Sequence, residues 1–241
     1  MATTDKVPAT TMMEFEKLLD LSFDSAFAGR TSLRWWPWVG SRFSISSLRT
    51  MVVGESIYNW GEGFEARYEK SDALRQTHSR HALNYRRDSP YVRNFERAIY
   101  QAYAPSEEQK LALWSSVAYH NLVLDPLKSL KARPSYSQYV KGWNELLELT
   151  RLMEVDQAII YGLESKKIDA LAETAKQRGS LLERSPMPTK VGRSRPKLIT
   201  IRDGDRVMKL LFIRHPSAFF SWRKWAPVIR EHLPIQENQS V

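Results

Sequence analysis

Two short stretches carry side chains that can exchange protons and hydrogen bonds, and each follows an apolar run. In TMVVGESIYN, residues 50–59, Glu55, Ser56, Tyr58 and Asn59 come just after the glycine that closes the run. In LLFIRHPSAFF, residues 210–220, His215 and Ser217 likewise follow the apolar part. A buried parallel strand delivers the residues after it into a crevice at its carboxyl end, where open α/β sheets place their chemistry. Two strands loaded in this way predict one shared site. Another amide, Asn121, interrupts the apolar segment VAYHNLVLDP at 117–126, and burial there obliges it to find hydrogen-bond partners.

The elements that must position these tips show as an alternation. QAIIYG at 157–162 reads as a third strand ending on glycine. Before it, residues 135–153 place Tyr139, Trp143, Leu146, Leu147 and Leu149 near helical spacing, and after it residues 163–176 return as a helix. Strand, helix, strand is the pattern of a parallel sheet. Residues 198–202 and 207–213 flank Asp203, Gly204 and Asp205, a hairpin signal whose second arm leads to His215. Residues 13–21 have the spacing of a short packing helix behind a disordered segment, 1–12. The charged region 65–97 reads as helix and loop. His78 and His81 within it stand three apart, and with no third ligand in view they read as surface or phosphate-contacting residues, not a metal site. WWPWVG at 35–40 crowds three indoles together, and covering one edge of the core is the favoured reading over stacking on bases or sugar. No internal repeat, Walker motif or GxGxxG is present.

Composition bounds the partners. The chain of 241 residues is long enough for one substantial core, and one domain over 1–241 is expected. Its 36 Lys and Arg against 27 Asp and Glu give a net charge of +9, which favours polyanions, with nucleic acid first and an anionic membrane second. Residues 176–197 concentrate this charge: Lys176, Arg178, Arg184, Lys190, Arg193, Arg195 and Lys197 sit among glycines and prolines, opposed only by Glu183. This predicts a basic, mobile loop able to lie along a phosphate backbone. The absence of cysteine excludes disulfides, thiolate metal sites and cysteine-ligated iron-sulfur clusters. No apolar run is long enough to span a membrane and the first residues lack a signal peptide's apolar core, so a cytoplasmic protein is expected.

The tips also share a family likeness. Gly54-Glu55-Ser56-Ile57-Tyr58-Asn59 resembles the first motif, GQDPYH in one branch and GEAPG in another, of the uracil-DNA glycosylase superfamily. The strand with Asn121 resembles the one bearing that family's base-reading asparagine. Residues 159–162 resemble a strand ending in Trp-Gly, and His215-Pro216-Ser217 is similar to the closing HPS motif. Together they cover about residues 50–230 in family order.

The resemblance implies a three-layer α/β/α sandwich with a short central parallel sheet, and hydrolysis of the bond between a base and deoxyribose. A base inside a duplex must be flipped out to be reached. Its departure leaves positive charge on the sugar and negative charge on the base, so the chemistry needs fixed donors near the base and an acid near the water. The resemblance casts His215 as the donor at the base carbonyl, Asn121 as the amide reading the base edge, and Ser56, Tyr58 and Asn59 as pocket residues. It places Ser217 on phosphate and Phe219 where the family has its intercalating wedge, with Phe220 as the alternative or both rings in the core. Arg193 and Arg195, in the basic loop, are candidate DNA contacts.

The departures from the family pattern shape the expected chemistry. The aspartate of GQDPYH falls at Ser56, which cannot carry negative charge. Glu55, which matches the glutamate of GEAPG, is therefore the first candidate for positioning water, with Asp125 and Glu62 behind it. Tyr58 matches the tyrosine that blocks a 5-methyl group in uracil enzymes, whereas Ile57 replaces a proline and predicts an altered loop. The expectation is a monofunctional DNA glycosylase without metal or cofactor, acting on a modified or damaged base. A hypermodified phage cytosine, such as glucosylated hydroxymethylcytosine excised in antiviral defence, suits the altered loop. The rivals are plain uracil excision, a catalytically silent DNA-binding protein of the same fold, and an RNA or membrane-surface binder.

Overall fold

The computed structural model describes residues 16–58, 63–84, 89–129, 131–187 and 189–235. The chain enters through a 3₁₀ turn, Leu21–Phe23, capped by the Asp20 carboxylate, and continues into α1 (Asp24–Ala28). The short strand β1 (Trp38–Val39) precedes β2 (Thr50–Gly54). Then come α2 (Phe64–Tyr68), α3 (Ala73–Ser79), a π-helical turn (Arg80–Asn84) and α4 (Pro90–Tyr100). Next are α5 (Glu107–Ser116), β3 (Val117–Asn121), α6 (Tyr136–Leu152), β4 (Gln157–Tyr161) and α7 (Ser165–Gln177). The last elements are β5 (Leu181–Ser185), β6 (Lys197–Asp203), β7 (Arg206–Ile213) and α8 (Trp222–His232).

Among the described residues seven strands form one mixed sheet in the order β1-β3-β2-β4-β7-β6-β5. The central four, β3, β2, β4 and β7, are parallel, while β1 and the β5–β6 pair extend the edges antiparallel. Every residue of β2, β3 and β4 is buried, which explains why the middle of each strand is apolar and why the few polar residues lie at its ends. The register pairs Gly54 with Asn121 and Tyr161 with Ile213, so all four parallel strands deliver their next residues at one end of the sheet.

Alternate strand residues feed two cores. Val52, Tyr119, Ile159 and Leu211 pack with Leu74, Phe95, Trp114 and Trp225 from α3, α4, α5 and α8. Met51, Val53, Ile160 and Phe212 pack with Trp143, Leu146, Ile168 and Leu171 from α6 and α7. The protein is thus a mixed α/β sandwich with helices on both faces of the sheet. Reciprocal capping boxes, Ser106 with Gln109 and Ser135 with Gln138, start α5 and α6.

Two sequence expectations need correction, and a third holds. Residues 176–197 are not one loop: α7 runs to Gln177, and 181–185 form the edge strand β5, held along its length by β6. Of the helix expected at 13–21, 13–15 lie outside the described residues, Glu16 is helical, and the helix does not continue beyond it. Leu19 makes a bridge to Gly40 instead, and the next helical turn starts after the Asp20 cap. The indoles of Trp35 and Trp38 are fully buried and bonded, Trp35 Nε1 to the Tyr68 carbonyl at 2.9 Å and Trp38 Nε1 to the Trp114 carbonyl at 2.7 Å. They serve the core, as favoured.

Candidate functional site

A cavity of about 890 Å³ opens at the carboxyl end of the parallel strands. Its strand-side wall contains Glu55, Ser56, Tyr58, Asn121, His215 and Ser217. Beyond Gly54 the chain keeps running beside the segment that follows β3. The Leu122, Val123 and Leu127 amides donate to the carbonyls of Gly54 at 3.0 Å, Glu55 at 2.8 Å and Ile57 at 2.8 Å. This pairing outside the regular strands fixes the backbone that presents Glu55 and Tyr58. Gly54 itself is required by contact, because a Cβ there would collide with the Asn121 amide oxygen and the Tyr119 hydroxyl.

Glu55 is held by groups that the sequence reading did not single out. The Tyr139 hydroxyl donates to its Oε1 at 2.9 Å, and Lys167 Nζ lies 3.1 Å from the same oxygen. Lys167 has no solvent exposure, and its ammonium also meets Glu164 Oε2 at 3.0 Å and donates to the Tyr161 carbonyl at 2.6 Å. Three acceptors match its three protons. Burial pushes the Glu55 pKa upward, but the Lys167 charge and the Tyr139 hydrogen bond overcome it, so the pKa lies below its ordinary value and Glu55 is a carboxylate. Gly162 makes room for this cluster: it adopts φ +98°, and a Cβ would strike Lys167 Nζ and Glu164. Glu164 and Lys167 follow the β4 tip. The strand-tip rule applied to Gly162 would have found them.

His215 is the opposite case. Burial drives its pKa down to about 4 against the pull of the Glu55 charge, so the ring is neutral at pH 7. Its Nδ1 accepts from the Ser217 backbone amide at 3.2 Å and lies 2.8 Å from the Ser217 hydroxyl. With Nδ1 accepting, the ring proton sits on Nε2, making it a donor. Asn94 Nδ2 donates to the Pro216 carbonyl at 2.8 Å and anchors this loop from α4.

Asn121 is buried at the end of β3, and its Oδ1 accepts from the Tyr119 hydroxyl at 3.0 Å. Tyr119 is in turn hydrogen-bonded to Tyr91. The amide oxygen is therefore engaged within the protein, which leaves Nδ2 to face the cavity. Tyr58 is half-buried on the same wall. Burial first, then the Glu55 charge, raises its pKa, so it is a neutral phenol.

The opposite wall comes from helices and went unread in the sequence. Tyr68, Thr77, His78, His81, Ser89 and Tyr91 line it. His78 is not a surface residue: it is 1% exposed, stacked on Tyr119 with ring centroids 4.2 Å apart and 14° between planes, and edge-on to Trp114 at 4.4 Å. His81 is half-buried, with Nδ1 bonded to the Ser89 hydroxyl. Among the described residues no three His, Asp or Glu side chains group as metal ligands.

The remaining candidates lie apart. Asp125 is not in the cavity wall; it sits 41% exposed, paired with Arg34 at 3.9 Å and Lys141 at 3.5 Å. Asn59 and Glu62 fall outside the described residues. Phe219 is 91% exposed at φ 52°, whereas Phe220 stacks on Trp225 at 5.7 Å, which separates the two rings into an outer and a core residue. The Arg214 guanidinium lies over the Phe219 ring at 5.3 Å. It also donates to the Ala218 carbonyl and the Ser194 hydroxyl, each at 3.1 Å. Arg193 and Arg195 are exposed on either side of Ser194, so the basic segment is tied to the cavity rim. No protein-family model matches the chain, and no curated protein matches its sequence.

Proposed function

We propose that this chain is a DNA glycosylase that hydrolyses the N-glycosidic bond of a flipped-out modified base. The observation that carries the reading is the pairing of an ionised Glu55 with a neutral His215 on the wall of one cavity, beside the Asn121 amide. Helices on both faces of a sheet with a parallel centre support the three-layer uracil-DNA glycosylase-like fold that the motifs imply.

In this reading a flipped base enters between Asn121 and Tyr58 while Phe219 fills the vacated stack. A non-glycine residue held at positive φ with its ring in solvent is strained, and such strain is a common mark of functional loops. The bond from C1′ to the base nitrogen breaks with its electron pair on the base. His215 Nε2–H donates to the oxygen where that charge gathers. Glu55 uses Oε2, the oxygen not engaged by Tyr139 and Lys167, to orient water and accept its proton as the water oxygen bonds to C1′. The negative charge of Glu55 also faces the cationic sugar, replacing the aspartate that Ser56 lacks. Lys167 is fully committed to three acceptors, which supports hydrolysis without a Schiff-base step.

The test is incubation with duplexes carrying uracil, hydroxymethylcytosine or its glucosylated form, followed by detection of alkali-labile abasic sites. His215→Ala and Asn121→Ala are expected to lose product while retaining DNA binding. Release from uracil alone would select the uracil enzyme. Binding without any abasic product would select the silent binder, the reading that Ser56 favours.

A further inference from the structure

A second recess lies at the end of the β5–β6 ribbon, outside the cavity described above. It holds about 290 Å³ and is walled by residues 184–187 and 195–199. Lys197 stands opposite Phe212 of β7, just before Arg214 on the cavity wall. The recess therefore opens at the same end of the sheet as the cavity. Arg214, bonded to the Ser194 hydroxyl beside Arg195, joins the two.

The connection between β5 and β6 is built to hold this shape. Val191 and Ser194 exchange both backbone hydrogen bonds, at 2.8 and 3.1 Å, around Gly192 at φ +61°. Met187 and Val191 are buried in the core that α8 also covers. The lining is of two kinds. Met187, Pro196, Leu198 and Ile199 supply an apolar floor. Arg184, Arg195 and Lys197 supply three positive charges, and among the described residues none of these side chains is hydrogen-bonded or ion-paired. The acid next to them, Glu183, pairs with Arg202 at 3.9 Å. Adjacent strand residues point to opposite faces, so Glu183 does not neutralise Arg184.

Floor and charges together select the ligand. A duplex backbone needs cations on a surface along which it can lie, and it gains nothing from an apolar hollow. An unpaired nucleotide brings both an aromatic ring to bury and a phosphodiester to neutralise. Guanidinium planes and apolar side chains cover the faces of such a ring, and a volume at the bottom of the small-ligand range suits a single base.

We infer that this recess is a subsite for one unpaired base in the DNA flanking the target nucleotide, with Arg184, Arg195 and Lys197 holding the adjoining phosphates. The inference rests on the DNA-binding part of the proposed function and not on bond cleavage. It makes the preferred substrate a target base beside a gap or overhang, where a perfect duplex leaves the recess unused.

Binding and base release are measured on one duplex in three forms: blunt, with a thymine overhang beside the target, and with the same overhang made of abasic nucleotides. The abasic form keeps every phosphate and removes only the bases. The wild type is expected to bind the thymine form about 10-fold more tightly than the abasic form. Met187→Ala is expected to lower that ratio to about 3-fold or less with the salt dependence unchanged. The double variant Arg184→Gln, Arg195→Gln changes two exposed residues and decides the matter should Met187→Ala fail to fold. It is expected to lower the ratio as well and to reduce the slope of log affinity on log salt by about 2. Equal wild-type affinity for the thymine and abasic forms would overturn the subsite, by showing a phosphate track alone. A ratio that survives the double variant would overturn it too, by placing the base elsewhere. So would displacement of the overhang DNA by a polyglutamate peptide as readily as by oligothymidylate of equal charge, which would show a general anion site. A thymine preference lost in the double variant, with no base released from any substrate, would sustain the subsite and sink the glycosylase. Base release without that preference would do the reverse, and absence of both would sink the two together.

Discussion

The two walls of the cavity solve the problem of buried polarity in opposite ways. On the strand side the charges are bonded to one another: Lys167 meets Glu55, Glu164 and the Tyr161 carbonyl, and Tyr139 closes the cluster. On the helical side the titratable groups are neutral histidines in an aromatic setting, and His78 has two unmet nitrogens. A charge buried for catalysis must be held in place in the free protein, or burial would neutralise it. A neutral imidazole can stay unmet, at a cost in stability alone. Under the proposed function, the held charge of Glu55 belongs to the reacting group, while His78 belongs to the aromatic packing around the cavity.

The most damaging way to break this comparison is to unpair the strand side. Lys167→Met leaves Glu55 buried without its counter-charge and is expected to cost about 3–5 kcal/mol in urea denaturation. Glu55→Gln in the same chain should recover part of that loss, because the remaining carboxamide is neutral. Gly54→Ala is expected to lower kcat/KM about 100-fold while the protein stays folded, since it displaces the Asn121 amide and the Tyr119 hydroxyl. Single-turnover assays beside circular dichroism check this.

Acid sharpens the contrast. His215, with a folded pKa of about 4 against an ordinary 6.5, binds fewer protons folded than unfolded between those values. Its contribution to stability is complete above about pH 6.5 and falls as pH drops toward 4, by up to about 1.4 kcal/mol per pH unit. Burial depresses His78 and His120 in the same sense. Glu55, also depressed, adds a loss at lower pH, as it protonates below its ordinary 4.5. Denaturation curves from pH 7 to 4 should show this decline, while kcat/KM of the folded fraction stays flat to about pH 5.

Smaller effects follow from the periphery and the helical wall. Phe219→Ala should slow release from duplex about 10-fold, leave single-stranded substrate little changed, and shift stability by less than about 0.5 kcal/mol. His78→Phe should stabilise the free protein by about 1 kcal/mol, visible as a raised Tm, because two unsatisfied buried nitrogens disappear.

The same division decided what could be read from the sequence. The strand tips are local signals: an apolar run and a glycine before Glu55, an amide inside the apolar segment at Asn121, and a run into His215. The antiparallel pairing of β6 with β7 was equally plain because Asp203, Gly204 and Asp205 mark their turn. β5 was hidden, since LLERS at the sheet edge is mostly exposed and sits among basic residues, so charge outweighed its pairing with β6. The helical wall was hidden for a different reason. His78 is buried by Trp38, Trp114 and Tyr119, all brought in from distant positions, and the π-helical turn after it breaks the 3.6-residue period. Asp125 misled because adjacency to a strand in sequence does not aim a side chain; Arg34 and Lys141 draw it outward.

The line of hydroxyls from Tyr91 through Tyr119 to Asn121 has a polarity. Each phenol owns a single proton, and Tyr119 has spent its own on the amide oxygen. Turning Asn121 over would require the phenols to swing round in concert, so in the proposed reaction a base would meet Nδ2 first. Under that proposal the fixed amide would select for an acceptor on the edge presented to it before any bond is touched.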